Sequence, residues 1–418
     1  MPAERILATY LIETPLALEQ AAEAIAGEQS SGTFVAVPGE TPELRERARA
    51  RVERLTELED ASAPSLPGAK PAKDGRYRRG EAVISFPFDN VGTNLPTLLS
   101  TVMGNLFELS ELSGLRLLDL EFPAAYRAAY PGPQFGIEGT RRMAGVFGRP
   151  IIGTIVKPSV GLTPEQTGEL IGELAEAGID FVKDDELQAN SPHSPLPARV
   201  EAVMRAVNDN ADRTGKKVMV AFNITDELDA MRRHHDTVLA KGGTCVMVSL
   251  NNVGPAGVSE LRKHAQLPIH GHRNGWGMLS RYPYLGMSFT AYQKLWRLIG
   301  ADQIHVNGLM NKFWEPDESV VASIKACLTP LLGGYRIMPV ISSGQSALQP
   351  PDTYRLTQTV ELMFLAGGGI MAHPQGPAAG VASLRQAWEA AVQQIPLVEH
   401  ARDHPELRQA LDKFGGVQ

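Results

Sequence analysis

"GIDFVKDDELQAN", Gly178 to Asn190, sets one lysine, Lys183, directly against Asp184, Asp185 and Glu186, after the apolar run Ile179 to Val182. A short apolar run behind a glycine that can end a helix reads as a buried strand, and its polar tail reads as the rim of a site. Side chains alternate along a strand, so Lys183 and Asp185 share one face while Glu186 begins the loop. One reading is a part-buried ion pair, a lysine neutralised by its acidic neighbours. The other is a seat for a hard cation such as Mg2+, for which Asp185 and Glu186 supply only two protein carboxylates, and beside which a lysine is out of place.

Working outward, the same pattern recurs. Apolar runs with polar tails stand at "IIGTIVKPS", "IDFVKDDE", "KVMVAFNIT", "GTCVMVSLNN", "LPIHGHRN", "DQIHVNG", "IMPVISSG" and "ELMFLAGGG", each followed by a helical pattern. Between the first two, "LTPEQTGELIGELAEAG" offers Thr163 as a cap, Pro164 at the first helical position and Gly178 as the stop. Eight βα units with no second sheet point to a closed (β/α)8 TIM barrel over residues 131–418, with its chemistry at the C-terminal strand ends. The first 130 residues read as a ferredoxin-like α+β domain: strands at "ILATYLIET", "EAVISFPF" and "LRLLDLEFP", helices at "LALEQAAEAIAG" and "LPTLLSTVMGNLF", and a surface loop at "DASAPSLPGAKPAKDG".

The bulk numbers narrow the function classes. A chain of 418 residues with 43% hydrophobic and 21% charged residues is that of a globular protein, and no run approaches a membrane span. The N-terminus lacks the basic-then-apolar order of a secretion signal, so a cytoplasmic enzyme is expected. A net charge of -7 argues against nucleic acid as the main partner. Cys245 and Cys327 stand far apart in apolar contexts, and both read as reduced core thiols.

The other strand tails carry chemistry too. His270 and His272 lie at i, i+2 with Arg273 next in line, "QIHVNG" adds His305, and "VISSG" adds Ser342, Ser343 and Gly344. Two histidines at that spacing suit a metal pair, although no HExxH motif stands nearby. "AGGGIMAHP" turns three glycines after an apolar strand, where backbone N–H groups can cradle a phosphate or simply relieve crowding. With Arg273 and Lys312, this turn makes an anion site.

In their order and spacing, "KPSVGL", "FVKDDE", "HGHR", "IHVNG", "SSG", "AGGGIMAHP" and the N-terminal "GEQSSGTF" and "MGN" resemble the large subunit of ribulose-bisphosphate carboxylase, and specifically its RuBisCO-like (form IV) relatives. The resemblance implies that Lys183 is carbamylated by CO2 and that the carbamate, Asp185 and Glu186 hold Mg2+. It implies a proton-transfer role for Lys157, a place near the substrate hydroxyls for His272, one phosphate site at Arg273, His305, Ser343 and Gly344, and another at Thr33, Lys312, Gly367 and Gly368. It further implies that Glu28, Thr33 and Asn105 reach a neighbouring subunit's barrel, so that the active site needs a homodimer.

Departures from a carboxylase decide the branch. Ser159 stands where a carboxylase has a second lysine, Trp276 where it has a histidine, and Gln345 where it has a second glycine. Its threonine before the "KP" pair is replaced by Ile155 or by a shifted Thr154. Productive CO2 fixation is therefore not expected. The resemblance implies a lyase that decarboxylates a phosphorylated 3-keto sugar acid such as 3-oxo-isoapionate 4-phosphate, with Lys312 near the departing carboxylate. An enolase or isomerase acting on 2,3-diketo-5-methylthiopentyl-1-phosphate in methionine salvage is the alternative, if Phe34, Trp276 and Trp314 enclose a thiomethyl group. The equal alternative reads these three aromatics as ordinary core or lid residues. A non-catalytic metabolite-binding protein is the third reading, which the joint presence of Lys157, Lys183, Asp185, Glu186 and His272 opposes.

Overall fold

The computed structural model describes residues 4–31 and 39–415. Its strands are β1 Arg5–Thr14, β2 Arg51–Ala61, β3 Tyr77–Pro87, β4 Gly114–Glu121, β5 Ile151–Ile155, β6 Phe181–Lys183, β7 Met219–Asn223, β8 Cys245–Ser249, β9 Ile269–His272, β10 Leu285–Met287, β11 Gln303–His305, β12 Met338–Ile341 and β13 Met363–Leu365. The chain forms two compact units. The first gathers the chain up to Pro131 together with Gly275–Leu298; the second gathers Gly132–Asn274 with Ile299 onward.

In the first unit a five-stranded sheet runs β10-β4-β1-β3-β2. Its centre follows from the alternation in β1, which buries Ile6, Ala8, Tyr10 and Ile12. The helix Leu18–Glu28 lays Leu18, Ala21, Ala22, Ile25 and Ala26 inward. Two strands escape the sequence reading. β2, "RVERLTELEDA", is an edge strand whose side chains are nearly all exposed, so pairing with β3 through the backbone suffices and no apolar alternation marks it. β10 is three residues long and pairs parallel with β4, although it follows β9 in the chain.

In the second unit β5, β6, β7, β8, β9, β11, β12 and β13 close into a parallel barrel, with β13 pairing back to β5. Every expected run supplies one of these strands. The helix Pro164–Glu176 between β5 and β6 starts as its sequence requires: Thr163 accepts from the Gln166 N–H at 3.2 Å while the Gln166 side chain accepts from the Thr163 N–H at 3.0 Å. Gly178, at φ 74°, turns the chain back toward β6. The barrel interior is packed solid by Ile151, Phe181, Met219, Ala221, Cys245, Met247, Met338, Val340, Met363 and Leu365, with Ile137 and Ala144 of the helix Gly136–Ala144. Two residues after Phe181 on the same face stands Lys183.

The run ahead of Lys183 is less uniformly apolar than it reads. Asp180 is wholly buried and accepts from the Ile152 N–H at 2.9 Å, from both Arg149 nitrogens at 2.5 and 2.9 Å, and from Lys216 at 2.5 Å, with Arg385 at 3.4 Å. Burial works to raise its pKa, but the Arg149 hydrogen bonds and charge, with Lys216, carry it below the ordinary carboxylate value. Asp180 thus ties the starts of β5 and β6 together, at the opposite end of β6 from Lys183.

A folded pKa held below the unfolded one contributes stability that is complete above the ordinary carboxylate range and is lost as pH falls through the folded value. Because its three cationic partners stay about a third exposed, the Asp180→Asn change should cost about 2 kcal/mol, less than a fully buried pair. The urea midpoint should therefore fall at pH 7, and the gap to wild type should close on acidification. Equal midpoints at pH 7 would show that Asp180 does not hold the barrel base.

Candidate active site at the C-terminal strand ends

Lys183 ends β6 with its side chain 1% exposed, its Nζ donating to the Asp184 carbonyl at 2.7 Å and lying 3.6 Å from Glu186 Oε2. Lys157, beyond β5, donates to Asp185 Oδ2 and to Ser159 Oγ, both at 2.7 Å. His272, ending β9, brings Nε2 to 3.4 Å from Glu186 Oε2. Three nitrogen groups therefore surround two carboxylates. Asp184 does not join them. It turns the other way, accepting from Arg199 at 3.1 Å and from the Asn223 N–H at 2.9 Å, and both partners are wholly buried.

Burial dominates the electrostatics. It lowers the Lys183 pKa against the raising pull of Glu186, Asp185 and Asp184, and so favours the neutral amine. His272 is pushed down to about 4, by burial first and by Lys183 second. For both carboxylates burial pulls upward, yet the Lys157 hydrogen bond holds Asp185 low and the His272 and Lys183 charges hold Glu186 low. The cluster is two anions facing Lys183 and His272, both of weakened basicity.

Asn223, the last residue of β7, is a positioning residue that sequence reading passed over. Its side-chain amide donates to the backbone carbonyls of Asp185 at 3.3 Å and Glu186 at 3.2 Å, while its Oδ1 accepts from Thr225 Oγ1 at 2.7 Å. Thr225 Oγ1 in turn accepts from the Ser249 N–H at 2.9 Å. The loop bearing both carboxylates is thereby fastened across the ends of β7 and β8. The one available signal was its place at a strand end, in "AFNIT".

Across the barrel interior runs a buried string. His270 Nδ1 is 2.7 Å from Gln303 Oε1, His270 Nε2 is 2.9 Å from His305 Nε2, and His305 Nδ1 is 3.0 Å from Ser342 Oγ. One proton order satisfies every contact: His270 donates from Nδ1 and accepts at Nε2, and His305 donates from Nε2 and accepts the Ser342 hydroxyl at Nδ1. That order needs both rings neutral. Burial brings His270 down to about 3 and His305 well below its ordinary value. His270 and His272 therefore do not form a metal pair, since His270 is spent on the string, and both nitrogens of His305 are held by protein.

The expected anion side is built on Glu315, another residue the sequence reading missed. Its Oε2 accepts from Arg273 at 3.0 Å and from Asn307 at 2.6 Å, and its Oε1 accepts from Ser319 at 2.8 Å. Asn307 Oδ1 accepts from Ser343 Oγ at 2.9 Å, and both residues hold positive φ, at 68° and 75°. Lys312, exposed, donates its backbone N–H to the Ser343 carbonyl at 3.3 Å, and a Cβ on Gly344 would lie 3.5 Å from its own. Arg273, Ser343, Gly344 and Lys312 thus belong to one network. Gln345 is buried and braces it, donating to the Leu309 carbonyl at 3.1 Å. Around Gly368 there is open space, whereas a Cβ on Gly369 would meet the Gln345 carbonyl at 2.5 Å; the first two glycines face room and the third allows close packing.

In the first unit Glu28 and Asn105 are both exposed. Gln29 links their elements, accepting from the Asn105 N–H at 3.2 Å and donating to the Ser100 carbonyl at 3.0 Å once its amide is oriented to satisfy both. Thr33 and Phe34 lie outside the described residues. Trp276 is core, packed on Tyr292 at 4.5 Å between ring centroids, and Trp314 is exposed. Thr154 is buried and donates to the Ala366 carbonyl at 3.0 Å, within the barrel wall.

Residues 136–414 match the ribulose bisphosphate carboxylase large chain, catalytic domain, and residues 2–126 match its N-terminal domain. The chain belongs to the RuBisCO large-chain family, among its RuBisCO-like members. It is 56% identical to a 3-oxo-isoapionate-4-phosphate transcarboxylase/hydrolase of Xanthobacter autotrophicus, over 98% of this chain and 99% of that one. To a 3-oxo-isoapionate-4-phosphate decarboxylase of Rhizobium rhizogenes it is 50% identical, over 98% of each. Among solved structures it is similar to a rubisco-like protein from Burkholderia fungorum, with TM-score 0.92 and 49% identity over 98% and 100% of the two chains. A dimeric archaeal Rubisco from Hyperthermus butylicus follows the same fold, with TM-score 0.85 and 30% identity over 99% and 96%. The family is generally Mg2+-dependent with a carbamylated lysine, and the donor chemistry here fits: Asp185 and Glu186 are ionised, Lys157 is bonded to Asp185, and the buried Lys183 amine of lowered basicity stands 3.6 Å from Glu186.

Asn223→Ala deletes the two hydrogen bonds from the amide to the Asp185 and Glu186 carbonyls, worth roughly 0.5–1.5 kcal/mol each, along with the two its Oδ1 accepts from Thr225. Amide hydrogen exchange across Asp185 to Gln188 should quicken by about tenfold or more with the barrel's global stability little changed. Unchanged exchange in that loop would remove Asn223 from the list of positioning residues.

Proposed function

We propose that the chain is a carboxy-lyase acting on a phosphorylated 3-oxo sugar acid, 3-oxo-isoapionate 4-phosphate or a close analogue, through an enediolate. The observation that carries this is the wholly buried Lys183 amine set beside two ionised carboxylates, one of them bonded to Lys157. Carbamylation of the neutral amine gives a third anionic oxygen ligand beside Asp185 and Glu186, and these three hold Mg2+. When bound, Mg2+ supplies positive charge that polarises the substrate's oxygens.

The chain's own residues do the rest. Arg273, Ser343 and Gly344 take one anionic end, with neutral His305 fixed behind them; Thr33, Lys312, Gly367 and Gly368 take the other. The bond to the carboxyl carbon breaks, CO2 leaves, and the electron pair passes into the adjacent carbonyl to give the enediolate. Lys312, exposed, steadies the departing carboxylate, and neutral His272 bonds a substrate hydroxyl. Lys157, held by Asp185 and Ser159, delivers the proton that quenches the carbanion carbon. Glu28 and Asn105 of a second copy complete the site, which the exposure of both and the dimeric relative support. A cytoplasmic setting is supported by two buried thiols without a disulfide.

A second reading is favoured by the 56% relative. The enediolate would then recapture CO2 at another carbon, and water would cleave the new 3-oxo acid. Carboxyl-13C substrate separates the two: decarboxylation places the label in CO2 and leaves one ketose phosphate, whereas carboxyl transfer with hydrolysis places it in a new carboxylate and splits the carbon chain. Absence of both outcomes over a panel of phosphorylated 3-oxo acids would sink the lyase reading.

Activity should need Mg2+ and rise on preincubation with bicarbonate, because each binding event favours the form the other requires. Lys183→Ala should lose essentially all turnover while unfolding at the wild-type midpoint, and Mg2+ affinity by calorimetry should become indifferent to CO2. Mixing inactive Asn105→Ala with inactive Lys183→Ala subunits should restore part of the activity through hybrid dimers. No recovery after proven subunit exchange would place the N-terminal residues outside the site.

A further inference from the structure

We infer a second metal site, for a zinc-class divalent ion, at Glu389, His400 and His404 in the C-terminal helices. One ligand atom from each of the three lies within 4.8 Å of the others. Glu389 stands on the helix Pro377–Gln393, His400 ends the helix Leu397–His400, and His404 caps the helix Pro405–Phe414. None of them belongs to the Lys183 site.

The second observation is an orphaned nitrogen. The His400 side chain is only 9% exposed, and its Nε2 is buried without a hydrogen-bond partner, 4.0 Å from Glu389 Oε2. A buried polar atom with no partner calls for an occupant. A gap of 4.0 Å is too long for a hydrogen bond, and it needs to close only to the ~3.4 Å that two ligands at about 2.0–2.1 Å span across a tetrahedral ion. Glu389 is already aimed, since its Oε1 accepts from Gln393 at 3.2 Å and its Oε2 faces the histidine.

The His404 tautomer agrees. Its Nδ1 is 2.7 Å from the His400 backbone carbonyl, which can only accept, so the proton sits on Nδ1 and the lone pair on Nε2. A backbone carbonyl behind a ligating imidazole is the usual support for a metal-bound histidine. The two rings lie stacked at 3.9 Å and 19°, so both imidazoles stand side by side at the cluster.

The other such cluster among the described residues fails the same test. In His235, Asp236 and His264 the His235 Nε2 accepts from the Gln266 N–H at 3.0 Å, so its Nδ1 carries the proton donated to Asp236, and no lone pair is left. At Glu389, two imidazoles and one carboxylate select a borderline ion such as Zn2+ or Co2+ over Mg2+, which wants oxygen ligands, and leave one position for water.

The test uses the full-length protein with excess Mg2+ present to fill the oxygen site. Titration with Zn2+ should show one saturable equivalent by calorimetry, and Co2+ should give the visible absorption of a four-coordinate site. His404→Gln and Glu389→Gln should each weaken binding about 10- to 100-fold, while Lys183→Ala binds as wild type does. Circular dichroism confirms that the variants are folded. Weak, multi-site Zn2+ binding that His404→Gln and Glu389→Gln leave unchanged would overturn the site, as would binding lost in Lys183→Ala instead.

Discussion

A lysine cannot stay charged in the dry interior of a barrel unless something answers its charge, and Lys183 is placed where the answer is incomplete. Glu186 stands 3.6 Å away, the nearest hydrogen bond goes to a neutral carbonyl, and Asp185 is engaged by Lys157. Desolvation then outweighs the attraction of the carboxylates and lowers the pKa of the amine from its ordinary value. A neutral amine is a nucleophile toward CO2. The same burial that makes this lysine an unfavourable cation would suit it as the precursor of an anion, as the proposed carbamate requires.

That constraint explains how the rest of the interior is charged. Were His270 or His305 protonated, each would add a cation within the same dry volume as Lys183 and Arg273. Instead a single direction of hydrogen bonds from Ser342 through His305 and His270 to Gln303 keeps both rings neutral. Asp184 is drawn off to Arg199, which neutralises a carboxylate that would otherwise tip Lys183 back to the ammonium form. Glu315 does the corresponding work for Arg273, fixing the guanidinium plane while Ser343 and its left-handed backbone stand alongside.

Much of this was legible in the sequence, for a physical reason. Barrel strands are buried on both sides, so each of the eight shows as an apolar run, and chemistry at strand ends shows as a polar tail. Lys157, Lys183, Asp185, Glu186 and His272 could be read off together and are found together. The losses have causes too. β2 is an edge strand held by backbone pairing, which leaves no hydrophobic trace. Asp180 lay inside an apolar run, because its partners Arg149, Lys216 and Arg385 come from far along the chain. Asn223 and Glu315 act on backbone carbonyls or on another side chain, and an amide or carboxylate in that role carries no spacing signal.

The departures from a carboxylase take on meaning in the geometry. Ser159 accepts a 2.7 Å hydrogen bond from Lys157, so a lysine at that position would set a second ammonium against the first. With serine there, Lys157 has one charged partner, Asp185, and one neutral one, and the mouth of the barrel carries one cation fewer. Holding CO2 near an enediolate long enough to form a bond gains from added positive charge on the incoming carboxylate; letting it go does not. Gln345 works in the same direction, filling with its side chain the space beside Gly308 and bracing the loop that leads to Lys312. On the proposed reading, a site that keeps Asp185, Glu186 and Lys157, yet gives up charge where a new carboxylate would form, is disposed to run the carbon–carbon bond step toward cleavage.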